Sequence, residues 1–202
     1  MQTILRRTLA AAALGATALA AQAGGLTATV YGGYAIDAAG DISFAGQTQL
    51  GQFLDPQINH WNDSIYDRWL PIPGQQDDRF GVEWTGYLIV PTAGTYGLRV
   101  TSDDGVQISL GGSLVIDEPQ EQWYEVHTAS FGAQAGLLPI NIRFYEAFVY
   151  QGIRLEWQAP GATTWEVVPE TALTPVPEPQ AYALTLAGLG AIGLAVSRRR
   201  QR

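Results

Sequence analysis

The 202-residue chain contains no cysteine and no lysine. Without cysteine there is no disulfide and no thiol nucleophile, so the fold must be held by its core or by bound metal. Without lysine, positive charge rests on 11 arginines, and residues 24–175 hold only five of them against 18 of the 19 acidic residues. The resulting net charge of −13 for that region argues against nucleic acid or anionic membrane surfaces as partners, because both reward basic patches. It permits cations. Histidine is scarce, and His60 and His127 lie far apart without metal-ligand spacing. There is no G-x-S-x-G nucleophile elbow and no phosphate-cradling P-loop. A glycosidase needs two carboxylates about 5 Å or more apart across a bond, which adjacent acids such as Asp103 and Asp104 rarely provide. The expectation is therefore not an enzyme. No stretch from 24 to 175 keeps helical periodicity beyond about two turns, and no solenoid or propeller repeat occurs.

What is present is a series of short alternating runs. Residues 26–34, 80–90, 95–101, 106–110, 113–117, 123–131, 140–146, 152–158 and 164–168 are rich in β-branched and aromatic residues and bounded by Gly, Pro, Asp or Asn. Gly111-Gly112 signals a tight hairpin, and Pro91-Thr92-Ala93-Gly94 a turn. Many short strands with frequent turns give the fold class: all-β, an antiparallel sandwich or barrel. Residues 35–79 are Gly/Asp/Gln-rich and read as long loops with one or two strands. All six tryptophans fall between 24 and 175. Trp84 and Trp157 sit in strand patterns and are expected in the core, whereas Trp61, Trp69 and Trp123 lie near irregular segments and are candidates for surface contact. Asp117, Glu118 and His127 read as strand charges rather than ligands or catalysts.

The two ends differ from this domain. Residues 1–23 combine Arg6 and Arg7, an Ala/Leu-rich stretch and Ala21-Gln22-Ala23, which together read as a secretory signal peptide. Residues 174–179 form a Pro-rich linker. Residues 180–197 are uncharged and 198–202 carry four arginines. As a helix the uncharged segment would span about 27 Å, close to the roughly 30 Å of a bilayer core, with the arginines on the cytoplasmic side. Val176-Pro177-Glu178-Pro179, the apolar segment and the terminal arginines resemble the PEP-CTERM sorting signal. That resemblance implies exosortase as a partner in tail processing. It also implies export to the cell surface or extracellular polysaccharide matrix of a Gram-negative-type bacterium, with transient anchoring in the inner membrane. A permanent anchor is the alternative.

The run from Phe80 to Glu118, with its W-x-G strand, P-x-x-G-x-Y turn and S-D-D-G loop, resembles the PA-14 domain, named after a bacterial toxin protective antigen. The opening run "GLTATVYGGY", the segment "DPQINHWND" and the later "INIRFYE", "GIRLEW" and "WEVVPETAL" extend the likeness over almost all of 24–173. The resemblance implies a carbohydrate-binding or adhesive β domain. It also implies a cis Asp103–Asp104 peptide whose two carboxylates hold one calcium ion that coordinates sugar hydroxyls. A second loop, 145–152, would add the Glu146 side chain and the carbonyls of Phe148 and Tyr150. Lectin members often carry Asn where Glu146 stands, and this loop is unusually aromatic; Phe148 and Tyr150 are candidates to stack on a sugar face. The residues alone leave another reading open, since Asp-Gly between alternating runs is a strong hairpin signal. The expected function is a secreted, calcium-assisted, lectin-like module binding a glycan or exopolysaccharide. The alternative is a structural or adhesive matrix protein that binds other proteins without a sugar site.

Overall fold

A computed structural model describes residues 24–33, 35–37, 40–62, 70–72 and 78–177. The expected signal peptide at 1–23, the expected membrane segment at 180–197, the arginine-rich tail and Trp69 lie outside the described residues. Among those residues the regular structure is β-strand apart from one short 3-10 turn, Glu170–Ala172.

The strands are β1 (Leu26–Gly32), β2 (Thr48–Asp55), β3 (Asn59–Asn62), β4 (Phe80–Val90), β5 (Gly94–Asp103), β6 (Val106–Leu110), β7 (Ser113–Glu118), β8 (Glu125–Ala133), β9 (Gly136–Glu146), β10 (Gln151–Gln158), β11 (Glu166–Val167) and β12 (Leu173–Thr174). They form two antiparallel sheets. The first runs β2-β1-β4-β9-β6-β7, with β12 also paired to β4; the second runs β11-β10-β5-β8, with β3 also paired to β10. β12 meets β4 at Tyr87 and Leu88, just beyond the stretch that β1 occupies.

Alternation in sequence becomes alternation in burial. Tyr96, Leu98 and Val100 of β5, and Ile153, Leu155 and Trp157 of β10, face Val82, Trp84, Ile108, Ile142 and Phe144 of the first sheet in one core. Each such side chain contributes roughly 1.5–3 kcal/mol when fully buried. Among the described residues every core residue falls between Leu26 and Leu173, so this stretch closes around its own apolar centre. Trp84, fully buried, donates its indole N–H to Asp55 Oδ2 at 2.8 Å, and His60 Nε2 lies 2.6 Å from the same oxygen. That pairing lets a carboxylate sit beneath β2 without an empty acceptor.

The strand expectations hold for existence and shift at the ends. β9 begins at Gly136 rather than 140, β5 runs on to Asp103, and β8 begins at Glu125, which puts Trp123 and Tyr124 in a loop instead of a strand. The irregular region supplies two strands, β2 and β3. The Gly111-Gly112 turn is confirmed, with φ of 58° and 83°, values that glycine alone adopts freely.

Candidate functional site

Asp103 closes β5 and Val106 opens β6, yet these strands do not pair. β5 lies between β10 and β8 in the second sheet, while β6 lies between β9 and β7 in the first. The Asp-Asp-Gly stretch therefore crosses from one sheet to the other, and the hairpin reading of Asp104-Gly105 fails. Its peptide between Asp103 and Asp104 is cis, as the family resemblance implies.

β9 pairs with β6 in a register that sets Val106 opposite Phe144. That brings the end of β9 beside the crossing, and one carboxylate oxygen from each of Asp103, Asp104 and Glu146 lies within 4.8 Å of the others. All three are buried, at 3%, 6% and 1% exposure. Asp104 is the anchored member. Its Oδ1 accepts the Gln122 amide at 2.9 Å and its Oδ2 the Ala147 amide at 2.8 Å, so one side chain ties the 119–124 loop to the 147–150 loop. Gln122 reinforces the tie by donating to Ser102 Oγ at 3.1 Å. Asp103 Oδ2 and both Glu146 oxygens have no hydrogen-bond partner. The amide of Phe148 stands near Glu146 and relieves its charge slightly without a well-formed hydrogen bond.

Crowding of buried carboxyls moves their protons. Burial, then the neighbouring Asp104, pushes Asp103 up to about 7. Burial, followed by Asp104, Asp103 and Asp78, pushes Glu146 up to about 10. Asp104 is raised by burial and held back by the amides of Ala147 and Gln122. A buried acceptor without a donor is costly, and three carboxyls facing one point lack only positive charge. The donors are all hard oxygens, which suits calcium and does not suit the softer metals that favour sulfur or imidazole. The residues present therefore fit the ion.

Above the cluster is an open cleft of about 320 Å³ lined by Asp103, Asp104, Glu121, Gln122, Trp123, Ala147, Phe148 and Val149. Phe148 is 48% exposed, and the guanidinium of Arg79 lies 5.0 Å from its ring centroid. Val149 has φ of 83°, a left-handed conformation strained for a β-branched residue, and its amide donates to Asp78 Oδ1 at 3.0 Å. Tyr150 does not line the cleft but reaches its rim, its ring 6.0 Å from that of Trp123. Glu146, buried, does not line the cleft. Sequence reasoning named Asp103, Asp104, Glu146, Phe148 and Tyr150. It missed Gln122 and the position of Trp123 in the wall; the signal was a tryptophan inside the polar run "PQEQWYE".

Gly105 has a different role from the one its neighbours suggest. Its φ is not left-handed; instead, a Cβ there would collide with Tyr145 Cε1 and come within 2.9 Å of the Pro119 carbonyl. Gly105→Ala is expected to push Tyr145 or Pro119 aside and lower stability by about 1–3 kcal/mol, read as a fall in melting temperature in chelator. A protein melting within a degree of the parent would show that the neighbours yield freely.

Residues 25–171 match the family model described as PA14 domain, and residues 175–200 match the PEP-CTERM protein-sorting motif. Among curated proteins, the anti-sigma-I factor RsgI3 of Acetivibrio thermocellus is 27% identical over 124 residues, which is 60% of this chain but 18% of that protein. The chain thus spans less than a fifth of that relative's length. Among solved structures, an anti-sigma factor domain-containing protein superposes with a TM-score of 0.63 at 23% identity, covering 77% of this chain and 49% of that one. A PA14 sugar-binding domain from an RTX adhesin gives 0.60 at 19% identity, covering 76% of this chain and 99% of that one. At these identities the solved structures speak for the fold.

Proposed function

The chain belongs to the PA14 domain family, and from that premise we propose that it is a non-catalytic, calcium-assisted carbohydrate-binding module exported to the cell surface or extracellular polysaccharide matrix. The observation that carries the reading is the meeting of Asp103, Asp104 and Glu146 under a cleft walled by Trp123 and Phe148. A buried acidic cluster with empty acceptors asks for a cation, and an exposed aromatic wall beside it suits the C–H face of a sugar. The sugar-binding RTX adhesin domain, which shares the fold, supports the carbohydrate assignment. The PEP-CTERM motif supports export with exosortase as processing partner.

Asp103, Asp104 and Glu146 would hold the ion, with the Phe148 and Tyr150 carbonyls as further candidates. Calcium, when bound, supplies positive charge to these carboxyls and coordination positions for sugar hydroxyls. The chain's own residues do the rest. Asp104 fixes the two loops at a set separation, and Phe148, Trp123 and Tyr150 offer stacking faces. Such an open site implies weak single-site affinity, raised by many copies in a matrix.

A glycan array probed with residues 24–177, in calcium and in chelator, tests this. Binding in calcium that is lost in chelator, and lost in Asp103→Ala/Asp104→Ala, is the expected result. Binding that survives both removes the carboxylates from the site. No binding under either condition favours the structural matrix protein.

A further inference from the structure

Several large aromatic residues serve neither the core nor the carboxylate cluster. Trp123 is 71% exposed, Phe148 48%, Trp61 46% and Tyr150 37%. Single exposed aromatics are ordinary, but these are arranged in sequence across the surface. The rings of Trp123 and Tyr150 are 6.0 Å apart. Trp61 stacks on Tyr124 at 3.9 Å with 22° between the ring planes. The two pairs adjoin along residues 150–152, where Tyr150 meets Trp123 and Tyr124 bonds the Gln151 carbonyl and covers Gly152. The backbone fixes the second pair. Trp61 on β3 lies opposite Gly152 on β10, and the Tyr124 ring rests over Gly152, where a Cβ would sit 2.8 Å from its Cε1. The Tyr124 hydroxyl donates to the Gln151 carbonyl at 2.8 Å. The aromatic surface thus runs from Phe148 in the cleft, past Trp123 and Tyr150, to Tyr124 and Trp61 beside β10.

Apart from Arg79 at the Phe148 end, the charge beside this surface is acidic. Glu118 and Glu125 have side chains 44% and 63% exposed and meet His127 at 3.5 and 3.8 Å. His127 in turn contacts Gln122 at 3.2 Å, the residue before Trp123. A polymer of uronic or sulfated sugars would meet like charge along this flank.

We propose that the site binds an extended, neutral polysaccharide over several successive sugar rings, one in the cleft and the next on Trp123 with Tyr150 and on Trp61 with Tyr124. This rests on the carbohydrate reading above and names its ligand class: an internal stretch of a neutral chain rather than a terminal sugar alone. Successive pyranose rings offer apolar faces at regular intervals, and a continuous aromatic surface can stack several of them where an isolated pocket takes one.

The test is calorimetric titration of residues 24–177 in calcium with neutral β-linked gluco-, manno- and galacto-oligosaccharides, from monosaccharide to hexasaccharide, with oligogalacturonates alongside. For at least one neutral series, affinity is expected to rise about tenfold or more from monosaccharide to tetrasaccharide, since each aromatic contact adds a fraction of the 1.4 kcal/mol that makes a decade. Trp61→Ala is expected to lower the ratio of tetrasaccharide to monosaccharide affinity about threefold, leaving the part owed to Trp123 and Tyr150, and Trp61→Phe to keep most of it. Equal affinity for monosaccharide and tetrasaccharide, or an unchanged ratio in Trp61→Ala, overturns the extended-chain proposal and leaves the cleft as a terminal-sugar site. Tighter binding of oligogalacturonates overturns the neutral-chain assignment. Absence of binding by every sugar at every length overturns this proposal together with the carbohydrate reading.

Discussion

In excess calcium, residues 24–177 are expected to melt roughly 5–10 °C higher than in excess chelator. An ion that binds only the native state at a hundredfold excess over Kd adds about 2.7 kcal/mol. For a domain of this size each kcal/mol raises the melting temperature by about 2–4 °C. The origin of the shift is local. Asp103 Oδ2 and both Glu146 oxygens are buried with no hydrogen-bond partner, so the native state without the ion holds acceptors that water would satisfy in the unfolded chain. Asp103→Asn/Asp104→Asn is expected to abolish the calcium shift. Glu146→Gln should do something less obvious. It removes a buried carboxyl that must take up a proton to fold at neutral pH, so at pH 8 in chelator this protein should melt above the parent while losing most of its calcium response. Scanning calorimetry of the three proteins in both buffers gives the answer. A Glu146→Gln protein that melts lower than the parent in chelator at pH 8 would mean that Glu146 has a structural partner and is no ligand.

The same carboxyls make the calcium shift depend on pH. Glu146 is raised from 4.5 to about 10 and Asp103 from 3.8 to about 7 in the folded protein, by burial first and by neighbouring carboxylates second. A raised folded pKa means that the native state binds more protons than the unfolded state between the two values, so stability falls as pH rises. Their contribution in chelator is fully present below about pH 4 and is lost as pH rises, through about 7 for Asp103 and about 10 for Glu146. Each group acting in its window contributes a slope of about 1.4 kcal/mol per pH unit, or roughly 3–6 °C per unit in this size class. Calcium binding displaces these protons, so the gap between the calcium and chelator melting curves should widen from pH 5 to pH 9. Taking the difference between the two buffers cancels carboxylates elsewhere in the chain. A gap that is constant or shrinks as pH rises would show that Asp103 and Glu146 do not hold protons in the native protein without the ion.

Some of this was legible in the residues. The alternating runs of β4, β5, β6 and β10 were readable because each buries one face of a strand, and a period of two leaves its mark on composition. β2 and β3 left weaker marks: "TQLGQFLD" mixes glycine and glutamine into its alternation, and "NHWN" is four residues long. Trp123 opens the alternating run 123–131, and tryptophan favours strands, yet the chain bends there and Gln122 anchors to Asp104. The role of Gly105 is not legible in the sequence, since Tyr145, the ring it makes room for, is 40 positions further on.

What the sequence determined by itself was local: an all-β chain, an acidic surface without lysine, no disulfide, and an Asp-Asp-Gly stretch at the junction of two strands. What the tertiary structure decided was which strands share a sheet, and with that the meaning of the two aspartates. In one sheet β5 and β6 would have made a hairpin with two solvated acids at its tip. In different sheets, with β9 beside β6, the same two residues are buried against Glu146. Alternation tells a strand which face to bury and says nothing of its neighbour. Pairing is fixed by the fit of the whole core, so the meeting of Asp103 and Asp104 with the distant Glu146 exists only once the sandwich has closed.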